Sequence, residues 1–98
     1  MNSVEPKISI VIPNFNRGEL LSSTLDSVLR QNYNNWEALV VDDGSSDNSL
    51  DIGAAYAAND KRISIIKRDR NPSGAPVCRN IGIEKSTGDY IIFLDSDD

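Results

Sequence analysis

Four short runs rich in isoleucine and valine, set apart by helix-length segments, constrain this chain's fold more than any other feature. They occupy residues 7–12, 36–41 and 62–67, and the apolar stretch inside 88–98. Branched apolar runs of this length, bounded by turn residues, read as strands. The last, almost wholly apolar, reads as a buried one. Pro13 ends the first, because proline cannot donate to a ladder. Asn16 is placed to cap the helix that follows, with Glu19 as its capping-box partner. Leu21, Leu25, Val28 and Leu29 then share one helical face, and Gln31-Asn32 closes it. A second, alanine-rich helix is expected over about 48–59, with Ser46 or Asp47 at its N-cap and Ile52, Ala55 and Tyr56 inward. A third begins near Ala75-Pro76, carries Val77 and Ile81 on one face and stops at Gly88. The alternation of strand and helix with short connections predicts a mainly parallel sheet with right-handed crossovers, a Rossmann-like three-layer α/β/α arrangement in which 1–98 form the nucleotide-binding half of a doubly wound domain.

At 98 residues the chain can bury roughly two-thirds of its unfolded surface, enough for a core. Its net charge of −5 and pI near 4.5 argue against a nucleic-acid partner. No run is long and apolar enough to span a membrane, and the polar start with Glu5 and Pro6 does not read as a signal peptide. The single Cys78 excludes an internal disulfide and fits a reducing compartment. Histidine is absent, so imidazole bases and imidazole ligands are excluded. Any metal must be held by oxygen, which points to Mg²⁺ or Mn²⁺.

The exits of parallel strands share one edge, so the polar turns after the runs face a common crevice. Asp95, Asp97 and Asp98 fall within four residues at the last exit. Two like charges ~4 Å apart at an effective dielectric of ~20 cost about 4 kcal/mol, a sign that a divalent metal reverses. A solvated acidic turn is the plainer reading of that segment taken alone. Asp42 and Asp43 stand together at the second exit, where a carboxylate can accept from a ribose hydroxyl or a base N–H. Phe15 fits a core residue and a base-stacking one equally well. Asn71, Ser73 and Gly74 precede a helix whose first-turn N–H groups favour an anion. Arg79, one turn further, is either a surface arginine or the cation that a diphosphate needs. Gly82 reads as a close helix–sheet contact, and Cys78 as a small buried apolar residue.

In family order and spacing, the segments 8–16, 41–47, Cys78-Arg79-Asn80-Ile81-Gly82 and 93–98 resemble the N-terminal half of a family 2 glycosyltransferase with the GT-A fold. The resemblance implies a nucleotide-diphosphate sugar donor, with uridine the first expectation for its base, gripped by the first two exit loops. Pro13 and Phe15 would border the nucleoside, with Asn16 and Asp42 in the same two loops, and Asp43 would bond the base. Asn71 and Arg79 would line the nucleotide pocket, Arg79 nearest the diphosphate. Asp95 would reach ribose or metal, and Asp97 would be the principal ligand of Mg²⁺ or Mn²⁺. A saccharide or lipid-linked acceptor, an inverting transfer and a role in polysaccharide or glycoconjugate synthesis follow from the same likeness. So does a cytoplasmic protein whose full-length form can sit peripherally on the cytoplasmic membrane. Cys78 stands where the family commonly has a residue such as alanine. The family's base and acceptor region would lie beyond Asp98, so the chain reads as a piece of a longer protein, without turnover and prone to self-association.

Two other classes fit less well. A receiver-like signalling module needs a lysine at a later strand exit, where this chain has aspartates. A dinucleotide oxidoreductase needs a Gly-x-Gly-x-x-Gly turn, where it has Pro-Asn-Phe-Asn-Arg-Gly. A non-catalytic nucleotide-binding module stays open on the residues alone.

Overall fold

The computed structural model describes residues 5–95. Strands β1 (Ile8–Asn14), β2 (Trp36–Asp42), β3 (Ile63–Lys67) and β4 (Tyr90–Phe93) alternate with helices α1 (Gly18–Arg30), α2 (Ser49–Asn59) and α3 (Ala75–Lys85). The sheet runs in the order β3-β2-β1-β4, and every pairing is parallel. Alternation along the strands splits the core into two layers. Ile10, Ile12, Ala38 and Val40 pack with Leu21, Leu25 and Val28 of α1, and Ile52, Tyr56 and Ala57 of α2 border them. Val11, Leu39 and Val41 point the other way, against Cys78 and Ile81 of α3. β1 and β2 are therefore covered on both faces, which explains why they read as unbroken apolar runs.

Register sets the strand exits level. Asn14 lies opposite Asp42, and Asp42 opposite Lys67, while Val11 opposite Phe93 brings the residues after β4 alongside Ile12 and Pro13. The convergence of polar turns expected from the parallel topology thus follows from the hydrogen-bond ladder itself.

Several local expectations are corrected. Asn16 does not cap α1: Arg17 takes the N-cap position without a side-chain bond, and Asn16 is drawn into the neighbouring loop. In α2 the cap position falls to Asn48, and Gly53 is buried while Ala55 is exposed. Leu29 is 39% exposed, because the buried stripe of α1 is narrower than its apolar pattern. α3 ends at Lys85 rather than at Gly88. Gly88 instead lies against β1, where an added Cβ would fall 2.5 Å from Ser9 Oγ and 2.8 Å from the Lys7 carbonyl.

β4 is the largest correction. It is an edge strand with Tyr90, Ile92 and Phe93 exposed, since it has β1 on one side and no neighbour on the other among the described residues, while α3 packs over β1 and β2. An apolar cleft of about 240 Å³ opens beside it, between Ile92 and Leu94 and the Trp36, Val28 and Tyr33 side chains. At the opposite end of the sheet from the strand exits, Glu37 ties the α3–β4 connection down. It accepts from Ser9 Oγ at 2.6 Å and from the Thr87 N–H at 2.6 Å, with Lys7 Nζ 3.6 Å away. Burial works against its charge, but the Ser9 and Thr87 bonds and the lysine outweigh it, leaving the carboxyl below its ordinary pKa.

Candidate functional site

The first two exit loops are knotted together. Asn16 adopts a left-handed backbone, φ 50°, which asparagine tolerates better than most residues. Its N–H donates to Ser45 Oγ at 2.9 Å, and its Oδ1 accepts from the N–H groups of Ser46 at 2.7 Å and Asp47 at 3.1 Å. Asp47 then serves two helices. Oδ2 accepts from the Gly18 N–H at 3.1 Å, and Oδ1 from the Ser49 N–H at 2.9 Å and hydroxyl at 2.5 Å. The Ser49 bonds, more than any other contact, hold the Asp47 carboxyl below its usual range.

Asp42 completes this knot from inside. It is 2% exposed and accepts from the N–H groups of Gly44 at 3.1 Å and Ser45 at 2.8 Å, from Ser45 Oγ at 2.6 Å and from Asn14 Nδ2 at 3.3 Å. Expected among the donor contacts, Asp42 and Asn16 do not line the cleft described next; their polar atoms bond within the exit-loop knot.

That cleft holds about 220 Å³ and is walled by Pro13, Phe15 and Arg17 from the first exit, Asp43 from the second, Arg79 of α3 and Asp95 after β4. Its size falls below the ~300 Å³ usual for small-molecule pockets, as for one wall of a larger site. Phe15 is about half exposed there, available for stacking rather than packed in the core. Arg79 Nη2 donates to both oxygens of Asp95, at 3.3 and 3.2 Å. Arg17 also reaches the cleft and forms no salt bridge among the described residues. Cys78 is a buried part of the wall, where burial first and the Asp43 carboxylate second push its thiol up to about 11.

Asp43 is engaged from the side. Arg68 Nε donates to its Oδ1 at 2.6 Å, and the Gly74 N–H to Oδ1 and Oδ2 at 3.2 and 3.0 Å. Gly74 can point its N–H this way because its φ of 122° is open to glycine and strained for other residues. Asn71 stays outside the cleft lining; its Oδ1 accepts from Arg68 Nη1 at 3.3 Å. Asp97 lies outside the described residues, and among the described residues no group of three acidic, histidine or cysteine side chains is placed to hold a metal. Asp95 is thus the one proposed ligand whose position is given, an oxygen donor of the kind a hard cation takes. Sequence reasoning passed over Arg17 and Arg68. The signal for Arg68 was its place, one residue beyond β3 and level with the Asp42-Asp43 pair.

Residues 9–98 match the family described as Glycosyl transferase family 2. The chain is 40% identical over 98 residues to the putative teichuronic acid biosynthesis glycosyltransferase TuaG of Bacillus subtilis, covering all of this chain and 38% of that protein. It is 43% identical over 94 residues to the poly(ribitol-phosphate) beta-glucosyltransferase of Bacillus spizizenii, covering 94% of this chain and 15% of that one. Among solved structures, S. aureus TarS residues 1–349 superpose with a TM-score of 0.84 at 29% identity, over 94% of this chain and 28% of theirs. A mannosyltransferase of Pyrobaculum calidifontis, PcManGT, solved with GDP-Man and Mn²⁺, gives 0.85 at 21% identity, over 97% and 28%, a likeness of fold alone. The chain spans well under half the length of the curated relatives it matches, 38% at TuaG and 30% at GlyG of Streptococcus pneumoniae. With the level strand exits, the cleft and these matches together, the chain belongs to glycosyltransferase family 2 and carries the GT-A fold.

Proposed function

We propose that this chain supplies the donor-binding part of an inverting glycosyltransferase that moves a sugar from a nucleotide diphosphate, a UDP-sugar first, to an acceptor hydroxyl in cell-surface polysaccharide synthesis. One observation carries the reading: Asp43 and Asp95, from strands on opposite sides of β1, open into one cleft together with Phe15 and Arg79. The names of the relatives, a teichuronic acid and a poly(ribitol-phosphate) glycosyltransferase, support the acceptor class.

The residues divide the work by chemistry. Phe15, exposed on its loop, offers a ring face to a base. An ionised Asp43 can only accept, so it bonds a base N–H, such as N3–H of uracil or thymine, N1–H of guanine or the exocyclic amine of cytosine or adenine, and it disfavours the bare ring nitrogen beside that amine. Arg79, beside Asp95 in the cleft wall, is a cation for a diphosphate, with Arg17 lining the same cleft. Asp95 and Asp97 would hold Mg²⁺ or Mn²⁺, whose chemistry when bound is to stabilise charge on the departing nucleoside diphosphate. The solved mannosyltransferase carries Mn²⁺ with its donor, which supports a divalent ion here.

A thermal-shift screen of UDP, GDP, dTDP and CDP, each with and without Mn²⁺, tests this. Selective, metal-dependent stabilisation by UDP is expected, since ligand stabilises by mass action. Equal shifts with all four, or none with any, would sink the reading.

A further inference from the structure

We propose that Arg68 is a positioning residue for the nucleoside: it fixes Asp43 against the 69–74 segment, so the carboxylate keeps one orientation in the cleft before a ligand arrives. The inference rests on the nucleotide-sugar reading above and adds to it a residue outside the cleft lining.

The geometry is that of a brace. Arg68 Nε meets Asp43 Oδ1 at 2.6 Å, with the two side chains only 20% and 14% exposed. A short charge-assisted bond so sheltered outweighs the equally short but exposed surface pairs formed by Arg70. The other end of the guanidinium is spent on the loop: Nη1 donates to the Arg70 carbonyl at 2.6 Å and to Asn71 Oδ1 at 3.3 Å. The Arg68 N–H in turn donates to the Asp42 carbonyl at 2.8 Å, so the arginine is anchored on the ladder next to the residue it holds. Gly74, at the end of the same segment, donates its N–H to both carboxylate oxygens of Asp43, sharing Oδ1 with Arg68. Asp43 therefore accepts from both ends of one loop, and Arg68 holds that loop in shape between them. An exit-loop aspartate without such support would sample its rotamers, and ordering it would be charged against binding.

Nuclear magnetic resonance titrations of the 98-residue chain test this, with uridine monophosphate as one probe and inorganic pyrophosphate plus Mg²⁺ as the other. Arg68→Met is expected to weaken uridine monophosphate about tenfold and leave pyrophosphate unchanged, as loss of one charge-assisted brace would. Arg68→Lys should recover part of that loss, and Arg68→Met should add nothing on top of Asp43→Asn. Unchanged uridine monophosphate affinity in a folded Arg68→Met chain, or equal weakening of both probes, would overturn the role. If Arg68→Met does not fold, Arg68→Lys carries the test alone. It keeps the charge but loses the fork, and unaltered affinity in it would likewise overturn the role. Failure of the starting chain to bind uridine monophosphate overturns the nucleotide-sugar reading itself, visibly, before any variant is made.

Discussion

Asp42 and Asp43 are adjacent and chemically identical, yet one is sealed inside the exit-loop knot and the other lines the cleft. Their substitutions should separate accordingly. Asp42→Ala strands the N–H groups of Gly44 and Ser45 and is expected to cost about 2–4 kcal/mol in urea unfolding. Asp43→Asn keeps the shape of the side chain; it should lower UDP affinity about tenfold with a much smaller effect on folding, read by calorimetric titration. The sequence favoured Asp43 for the base but kept Asp42 among the donor contacts, because the full division depends on which side chain the β2 register turns into the loop. The same limit hid Arg68, whose meaning comes from a carboxylate 25 residues away. Cys78, by contrast, was readable as a small buried residue, and it is one. Its raised thiol pKa makes the sign plain: the buried neutral thiol's contribution is complete below the unfolded value near ~8.5 and is lost as pH rises through about 11. Cys78→Ala should flatten the alkaline limb of the stability profile, and the folded chain should resist alkylation at neutral pH.

Among the elements, strands and helices were legible from their periodicity and their ends were not. Asn16 and Glu19 have the spacing of a capping box, but the neighbouring loop offers Asn16 two N–H groups and competes successfully. Gly88 looked like a helix stop because glycine serves that purpose often; here it is required by contact with Ser9. Gly82 carries the expected close approach, with an added Cβ only 3.1 Å from Val11 Cβ and nearer still to its methyls. Gly82→Ala is expected to push α3 off β1 at a cost of about 1–3 kcal/mol, measurable by denaturant unfolding. Glu37 gives the α3–β4 connection a pH dependence. Its folded pKa lies below the ordinary value, so its contribution is present above the unfolded value of ~4.3 and is lost as pH falls through the folded one. Glu37→Gln should therefore lower stability at neutral pH and shrink the difference from the parent chain in acid.

At the scale of the molecule, the α/β class and the common rim were both written in the order of the runs, since parallel strands have little choice about where they exit. Exposure of β4 was not, because an apolar run does not reveal whether a second neighbour covers it. Tyr90, Ile92, Phe93 and Leu94 leave an apolar edge that the chain in isolation is expected to bury by concentration-dependent association. Sedimentation velocity across a dilution series checks this, and Ile92→Lys should shift the boundary toward monomer.

The double duty of Asp47 has a dynamic consequence. Because a single side chain holds the amides that begin both α1 and α2, neither helix start can fray without releasing the other. Deuterium should thus enter at Gly18 and Ser49 in one concerted opening, at matched rates that Asp47→Ala would uncouple.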